Sequence, residues 1–419
     1  MAKQHSTSFT KPFVVLFLVL PYGISSGFVS VTLPFLLVQH GFTVRATASI
    51  TALGLSANLW RFIWAPMTDL TLSLHKWYLI GVVLCAASLL GLCFLPLDVN
   101  HKMMLTIIVF ISQIAATFVV APVGGFMART VPENQKGRAG GWYQAGNLGG
   151  LGFGGGAGIW LTTHFSYLAA ILVLALIMLA CAFALYLVPR VQSEKRNTLA
   201  AKFKVIVVDI KDLLASRLAI FTTAMVITPI GIGAAAYIWS SVGADWRVSP
   251  DTVALVNGVL GGGVTVIGCV FGGWIADKIG RWWAFFGSGT LMAIVTILMG
   301  IGAFTPFTYT AGVLAYAFMF GFATAAFSAI VLHAIGKGLA STRYALLSSI
   351  SNLAPVYMTI LDGWLHDQYN IKGMLWGESI LGLSFVLLSL IALSRVGLKK
   401  IKALPDSDFK NEVYIDPLI

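Results

Sequence analysis

Only 10% of this 419-residue chain is charged, so the residues able to do chemistry are few and their settings stand out. Asp277, Lys278 and Arg281 crowd into "ADKIGR" between two long apolar runs. Asp362 and Glu378 lie within or beside other apolar runs, where a carboxyl group can hold and release a proton or bind a substrate cation. Arg61 follows Asn58 by three positions near the end of a further run. A guanidinium there needs a wet cavity or an anionic partner, either a carboxylate or phosphate of a ligand or the nearby Asp69.

Polar stripes at helical spacing accompany these charges. Tyr22, Ser26 and Ser30 recur every fourth residue; Tyr316, Phe320, Thr324 and Ser328 do the same; Ser348, Asn352, Pro355, Thr359 and Asp362 alternate steps of four and three. Gln144 and Asn147 lie beside a glycine-rich run. Tyr22, Ser26, Asn58 and Arg61, with Gln144, Asn147, Tyr316 and Asn352, are therefore the expected substrate-binding residues, and Asp362 and Glu378 the expected proton-coupling residues. Helix-to-helix hydrogen bonding is the alternative role of each stripe. No nucleophile sits with a base, no His, Cys or carboxylate cluster has metal spacing, and no Walker loop accompanies the glycines. An enzyme, a cofactor, a metal and ATP are not expected. Cys85, Cys93, Cys181 and Cys269 read as small buried apolar side chains.

The elements that must position these groups follow from hydrophobicity. With 58% apolar residues and a mean hydropathy of +0.87, the chain is expected to be an integral membrane protein. Twelve apolar runs, each long enough for a helix to cross a hydrocarbon core, span 12–38, 46–66, 78–96, 103–127, 142–163, 167–189, 218–241, 252–275, 283–304, 308–334, 345–365 and 374–394. Of the 27 Lys and Arg residues, 23 fall on the side that holds both termini and four, Arg45, Lys102, Arg247 and Lys372, on the other. That split places both termini in the cytoplasm and accounts for the +11 net charge without a nucleic-acid partner.

The chain also reads as built twice. A basic linker at 191–217, with an expected amphipathic surface helix, divides a six-helix bundle at 1–190 from another at 218–395, and a tail runs from 396 to 419. Asp69 follows the second helix of the first half as Asp277 follows that of the second. Between Gly137 and Gly158 stand eleven glycines, among them Gly146, Gly150, Gly154 and Gly158 in steps of four, which lets two helices approach closely and slide.

"GGWIADKIGR" resembles the cytoplasmic loop signature of the major facilitator superfamily. The resemblance implies an all-α membrane fold of twelve helices in two pseudo-symmetric bundles, with this loop bracing the two halves on the cytoplasmic side. The expected gate then comprises Asp69, Arg138, Asp277, Arg281 and Arg343, with Arg129 or Arg138 facing Asp69, and Lys337 or Arg343 facing Asp277. "LWRFIWAPMTD" and "PENQKGRAGG" are similar to the muropeptide permease and acetyl-CoA transporter branch. The chain departs from that branch in "AATFVVAPVGGFMA", which has no acid.

The expected function is alternating-access transport of a small organic solute with an anionic group, muropeptide-like, siderophore-like or another metabolite, across a bacterial inner membrane, with protons as candidate coupling ions. A monomer in the bilayer is expected. The alternatives are an exporter of drugs or metabolites and a receptor on the same scaffold without flux.

Overall fold

A computed structural model of the protein describes residues 10–61, 63, 72–132, 135–190, 217–335 and 347–395. Asp69, Lys337, Arg343, the linker up to residue 216 with its expected amphipathic helix, and the tail from 396 lie outside the described residues, as does the side chain of His333.

Every regular element among the described residues is helical, the form in which a chain satisfies its own backbone groups in hydrocarbon. α1 is Val14–Gln39, with a π turn at Phe28–Thr32. α2 is Val44–Ser56, tightening into a 3-10 turn at Ala57–Trp60. α3 is Leu74–Phe94, α4 Val99–Thr130, α5 Lys136–His164, α6 Tyr167–Leu187 and α7 Arg217–Ile227. α8 is Pro250–Ile279, α9 Arg281–Ile301 and α10 Pro306–Ile335. A last helical stretch, Leu353–Arg395, turns at Tyr369 and Asn370 (φ 61°), which separates α11 at 353–368 from α12 at 371–395.

Local chemistry sets several starts. Thr43, Ser73, Ser166 and Ser249 each accept the backbone N–H three residues on, satisfying a donor that the first helical turn leaves open. Among the described residues eight stretches are long and apolar enough to span a membrane, and one of them, Leu347–Leu393, contains both α11 and α12. The other expected spans are α2, diluted by Arg, Ser and Thr, α5, diluted by glycine, and α7.

The seventh span differs from the continuous helix expected at 218–241. α7 ends at Ile227, and the chain continues through Pro229, Gly231 (φ 64°) and Gly233 (φ 67°) into a 3-10 turn at Ala234–Tyr237. Left-handed backbone at both glycines, after a proline that has no N–H to give, ends the helix inside an apolar run. The residues that follow are buried against protein, the setting in which irregular backbone at membrane depth is tolerated.

Helices alternate in direction, so their ends define two faces. On the face carrying most of the Lys and Arg, here the basic face, the Thr10 N–H donates to the Thr130 carbonyl at 3.0 Å. Packing shows how the halves meet. One apolar core holds only residues between Val14 and Val188, and another only residues between Phe221 and Val386. A third core is shared: Phe35, Ala48 and Ile159 of the first half pack with Trp239, Val253 and Met374 of the second. These residues lie toward the far face. The molecule is thus closed by common apolar packing at the far face and divided into separate cores toward the basic face.

The α5–α8 seam repeats this pattern at atomic scale. A Cβ on Gly258 would lie 2.6 Å from the Gly156 Cα, and one on Gly152 2.6 Å from the Gly258 carbonyl oxygen, so the two backbones touch. Toward the basic face a Cβ on Gly141, Gly149 or Gly273 would meet nothing within 4 Å. At the far end His164 Nε2 lies 3.7 Å from Asp251 Oδ1.

Candidate functional site

Three polar groups, built from different helices, lie at or near the junction of the halves. The first is on α1, α2 and α4. Tyr22 donates from its hydroxyl to Asn58 Oδ1 at 3.0 Å, Ser26 donates to Gln113 Oε1 at 3.3 Å, and Gln113 Nε2 donates to Ser25 Oγ at 3.2 Å. Asn58 and Gln113 are buried. Tyr237, in the turn after the α7 break, lies within electrostatic reach of Tyr22.

The second group joins the halves directly. Arg61 Nη2 donates to Ser348 Oγ at 2.8 Å. Asp69, one expected partner of Arg61, lies outside the described residues, and among the described residues no acid lies against the half-buried guanidinium. Asn352 turns its amide nitrogen back onto its own chain. Its Nδ2 donates to the Ser348 carbonyl at 2.7 Å and the Ser349 carbonyl at 3.3 Å, closing the bend at which α11 begins. On α5, Asn147 Nδ2 donates to Gln144 Oε1 at 3.3 Å, both residues being half-buried.

The third group is buried in the second half. Tyr316 is fully buried, its hydroxyl donates to Glu378 Oε1, and it accepts the Ala235 N–H at 3.3 Å. Tyr316 was expected to face substrate; its hydroxyl is instead held within a carboxyl cluster in this conformation. Asp362, 0% exposed, has neither oxygen hydrogen-bonded, and Glu378 Oε2 is likewise shielded and unpaired. The two carboxyl groups lie within electrostatic reach of one another. Trp239 stacks edge-on over Tyr316, with ring centroids 5.3 Å apart. Between the α7 break, α9 and α12, a cavity of about 10 Å³ is lined by Pro229, Gly231, Thr296 and Glu378, room for about one water.

Three of the residues expected to form a gate are described. Arg138, Asp277 and Arg281 are exposed, and among the described residues Asp277 and Arg281 form no ion pair. Gly280 (φ 96°) makes the turn from α8 to α9, a left-handed backbone that glycine adopts without strain. Among the described residues no three His, Cys, Asp or Glu side chains form a metal-binding group.

Gln113, Ser348 and Tyr237 were not among the expected site residues. Gln113 had a readable signal, a lone amide within an otherwise apolar stretch of α4. Ser348 stands first in the stripe that runs to Asp362, but nothing in the sequence pairs it with Arg61, 287 residues away, and Tyr237 carried no signal.

Together these features define a helical membrane carrier with polar groups at the junction of its halves. The profile of the Major Facilitator Superfamily matches residues 15–357, and the chain belongs to that family, whose members are transporters and not enzymes. Among its relatives is the anhydromuropeptide permease of Escherichia coli strain K12, 21% identical over 389 residues, an alignment covering 88% of this chain and 77% of the permease; the protein of strain O157:H7 aligns equally. The fold is shared with the nucleoside transporter NupG, in a point-mutant structure at TM-score 0.70 and 11% identity over 90% of this chain and 98% of that one. It is shared also with a D-xylose–proton symporter at TM-score 0.68 and 16% identity, over 90% and 96% of the two chains. The protein is therefore a secondary transporter of this superfamily.

Proposed function

We propose that the protein imports a small organic solute bearing a carboxylate or phosphate, by exposing one central site alternately to the two sides of a bacterial inner membrane whose cytoplasmic side is the basic face. The observation that carries this reading is Arg61, a half-buried guanidinium at the junction of the halves with no described carboxylate opposite it. Its fork of donors suits a planar carboxylate or a phosphate. Tyr22, Asn58, Ser26, Gln144 and Asn147 supply neutral donors and acceptors on the first-half wall. Such a set suits a hydroxyl- and amide-rich body attached to the anion. The relative named as an anhydromuropeptide permease makes muropeptide-like solutes the first to test, with siderophore-like solutes and other metabolites beside them.

Asp362 and Glu378 are the proposed coupling residues. A buried carboxyl group without a cation beside it is stabilised by carrying a proton, and movement of the α7 break, where Ala235 meets Tyr316, gives that proton a way in or out. Asp69, Arg138, Asp277, Arg281 and Arg343 are the proposed gate that fastens the cytoplasmic side in the opposite conformation.

Uptake of labelled N-acetylmuramate, muropeptides, siderophores and organic acids by proteoliposomes tests the reading. Saturable uptake of an anionic member, lost in Arg61→Gln, supports it. Equal uptake of its uncharged ester sinks the anionic requirement, and outward flux alone would favour an exporter.

A further inference from the structure

The two seams between the halves are not equivalent. The α5–α8 seam touches at Gly156 and Gly258 and opens toward the basic face. The α2–α11 seam is held at both ends. A Cβ on Gly363 of α11 would run into the Ala48 Cβ of α2 near the far face, and fifteen residues earlier, in the turn that leads into α11, Ser348 meets Arg61. Residues 48 with 363 and 61 with 348 keep a nearly constant antiparallel register, so the helices run side by side between these points. Among the described residues, Arg61–Ser348 is the one side-chain hydrogen bond joining residues 10–190 to residues 217–395.

The chemistry of that bond is unbalanced. A guanidinium offers five N–H donors and a permanent charge, whereas the Ser348 hydroxyl accepts one N–H from it here and carries no charge to neutralise it. A carboxylate or phosphate accepts two of those donors at once and cancels the charge, so it is the stronger acceptor for the same group. Ser348 thus occupies Arg61 in a way an anionic ligand can displace.

We propose that Arg61 and Ser348 form a ligand-released strut. With the site empty, the bond holds α2 against α11 near the basic face. A ligand carboxylate or phosphate draws the guanidinium away from Ser348, and that seam then opens to the side the α5–α8 seam already faces. Ser348 is a positioning residue: it resists opening of the empty carrier and competes with the ligand for Arg61. This deepens, and rests on, the reading of Arg61 as the anion anchor.

The test uses the full-length protein in lipid nanodiscs, spin-labelled at Ile63→Cys and Leu353→Cys beside the strut, with distances read by pulsed electron spin resonance in chloride, acetate or inorganic phosphate at matched ionic strength. In chloride, Ser348→Ala should raise the open population about tenfold or more over the unsubstituted serine, the worth of a hydrogen bond to a charged group, while Ser348→Thr, which keeps the hydroxyl, should not. Acetate and phosphate should lengthen the distance with Ser348 in place and add nothing in Ser348→Ala or Arg61→Gln. An unchanged distribution in Ser348→Ala overturns the strut, even where Arg61→Gln abolishes transport and the anionic reading stands. Opening in Ser348→Ala with acetate and phosphate both silent overturns ligand release and the anion reading together.

Discussion

Gly258→Ala tests how the far face is sealed. The added methyl carbon would stand 2.6 Å from the Gly156 Cα and 3.2 Å from both the Gly152 carbonyl oxygen and the Gly156 nitrogen. Carbon atoms pack at about 3.5–4.0 Å, so α5 and α8 must part by about 1 Å. No flexible side chain can give way, because all three neighbours are backbone atoms. Overpacking of this kind costs about 1–3 kcal/mol. The cost falls only on the state in which the seam is closed, so the far-side-open state should gain about 5- to 150-fold in relative population. The assay is labelling of Leu36→Cys, a buried position in the shared core, by a membrane-impermeant maleimide added from the far side. Labelling should accelerate in Gly258→Ala and uptake should fall. Gly263→Ala is the control, since a Cβ there meets nothing within 4 Å. Unchanged labelling in Gly258→Ala, or an equal rise in Gly263→Ala, would refute the reasoning.

Other substitutions probe the remaining groups. Arg61→Lys keeps the charge but loses the planar fork, so it should weaken binding of an anionic solute by about tenfold, with Arg61→Gln weaker still, read by calorimetry; matching affinities would remove Arg61 from the ligand site. Asp362→Asn and Glu378→Gln should abolish accumulation driven by an imposed pH gradient while leaving solute exchange across equal pH, and accumulation at the unsubstituted level in both would clear these carboxyl groups of coupling. Asp277→Asn should slow net uptake severalfold with affinity retained, because a gate pair at the interface is worth about 1 kcal/mol. An equal loss of binding would move Asp277 into the ligand site or point to a folding defect.

What was legible in the sequence follows the range of each signal. α3, α4, α6, α9 and α10 begin and end within a few residues of the apolar runs that announce them, because hydrocarbon thickness and hydropathy are local constraints. α7 escaped because hydropathy averages over the "TPIGIG" stretch, in which Pro229, Gly231 and Gly233 outweigh the surrounding apolar residues. Helical spacing put Tyr316 on one face with Phe320, Thr324 and Ser328, but periodicity names a face and not the neighbour opposite. That neighbour is Glu378, 62 residues away. Arg61 stood out by its charge alone, whereas its partner lies 287 residues along the chain and is an ordinary serine. Asp277 was expected to follow the eighth helix, whereas α8 runs on to Ile279 and carries it in its last turn. Which conformation leaves it exposed depends on the packing of α5 against α8, a contact between glycines that local composition does not specify.

Pulsed electron spin resonance on two label pairs addresses alternating access most directly. One pair, Phe165→Cys with Asp251→Cys, reports the far end of the α5–α8 seam, and the other, Gly141→Cys with Gly273→Cys, reports its basic end. The account predicts opposite responses: conditions that lengthen the far-end distance shorten the basic-end distance, and the reverse. Two distances that stay fixed under solute and pH gradients, or that lengthen together, would contradict it.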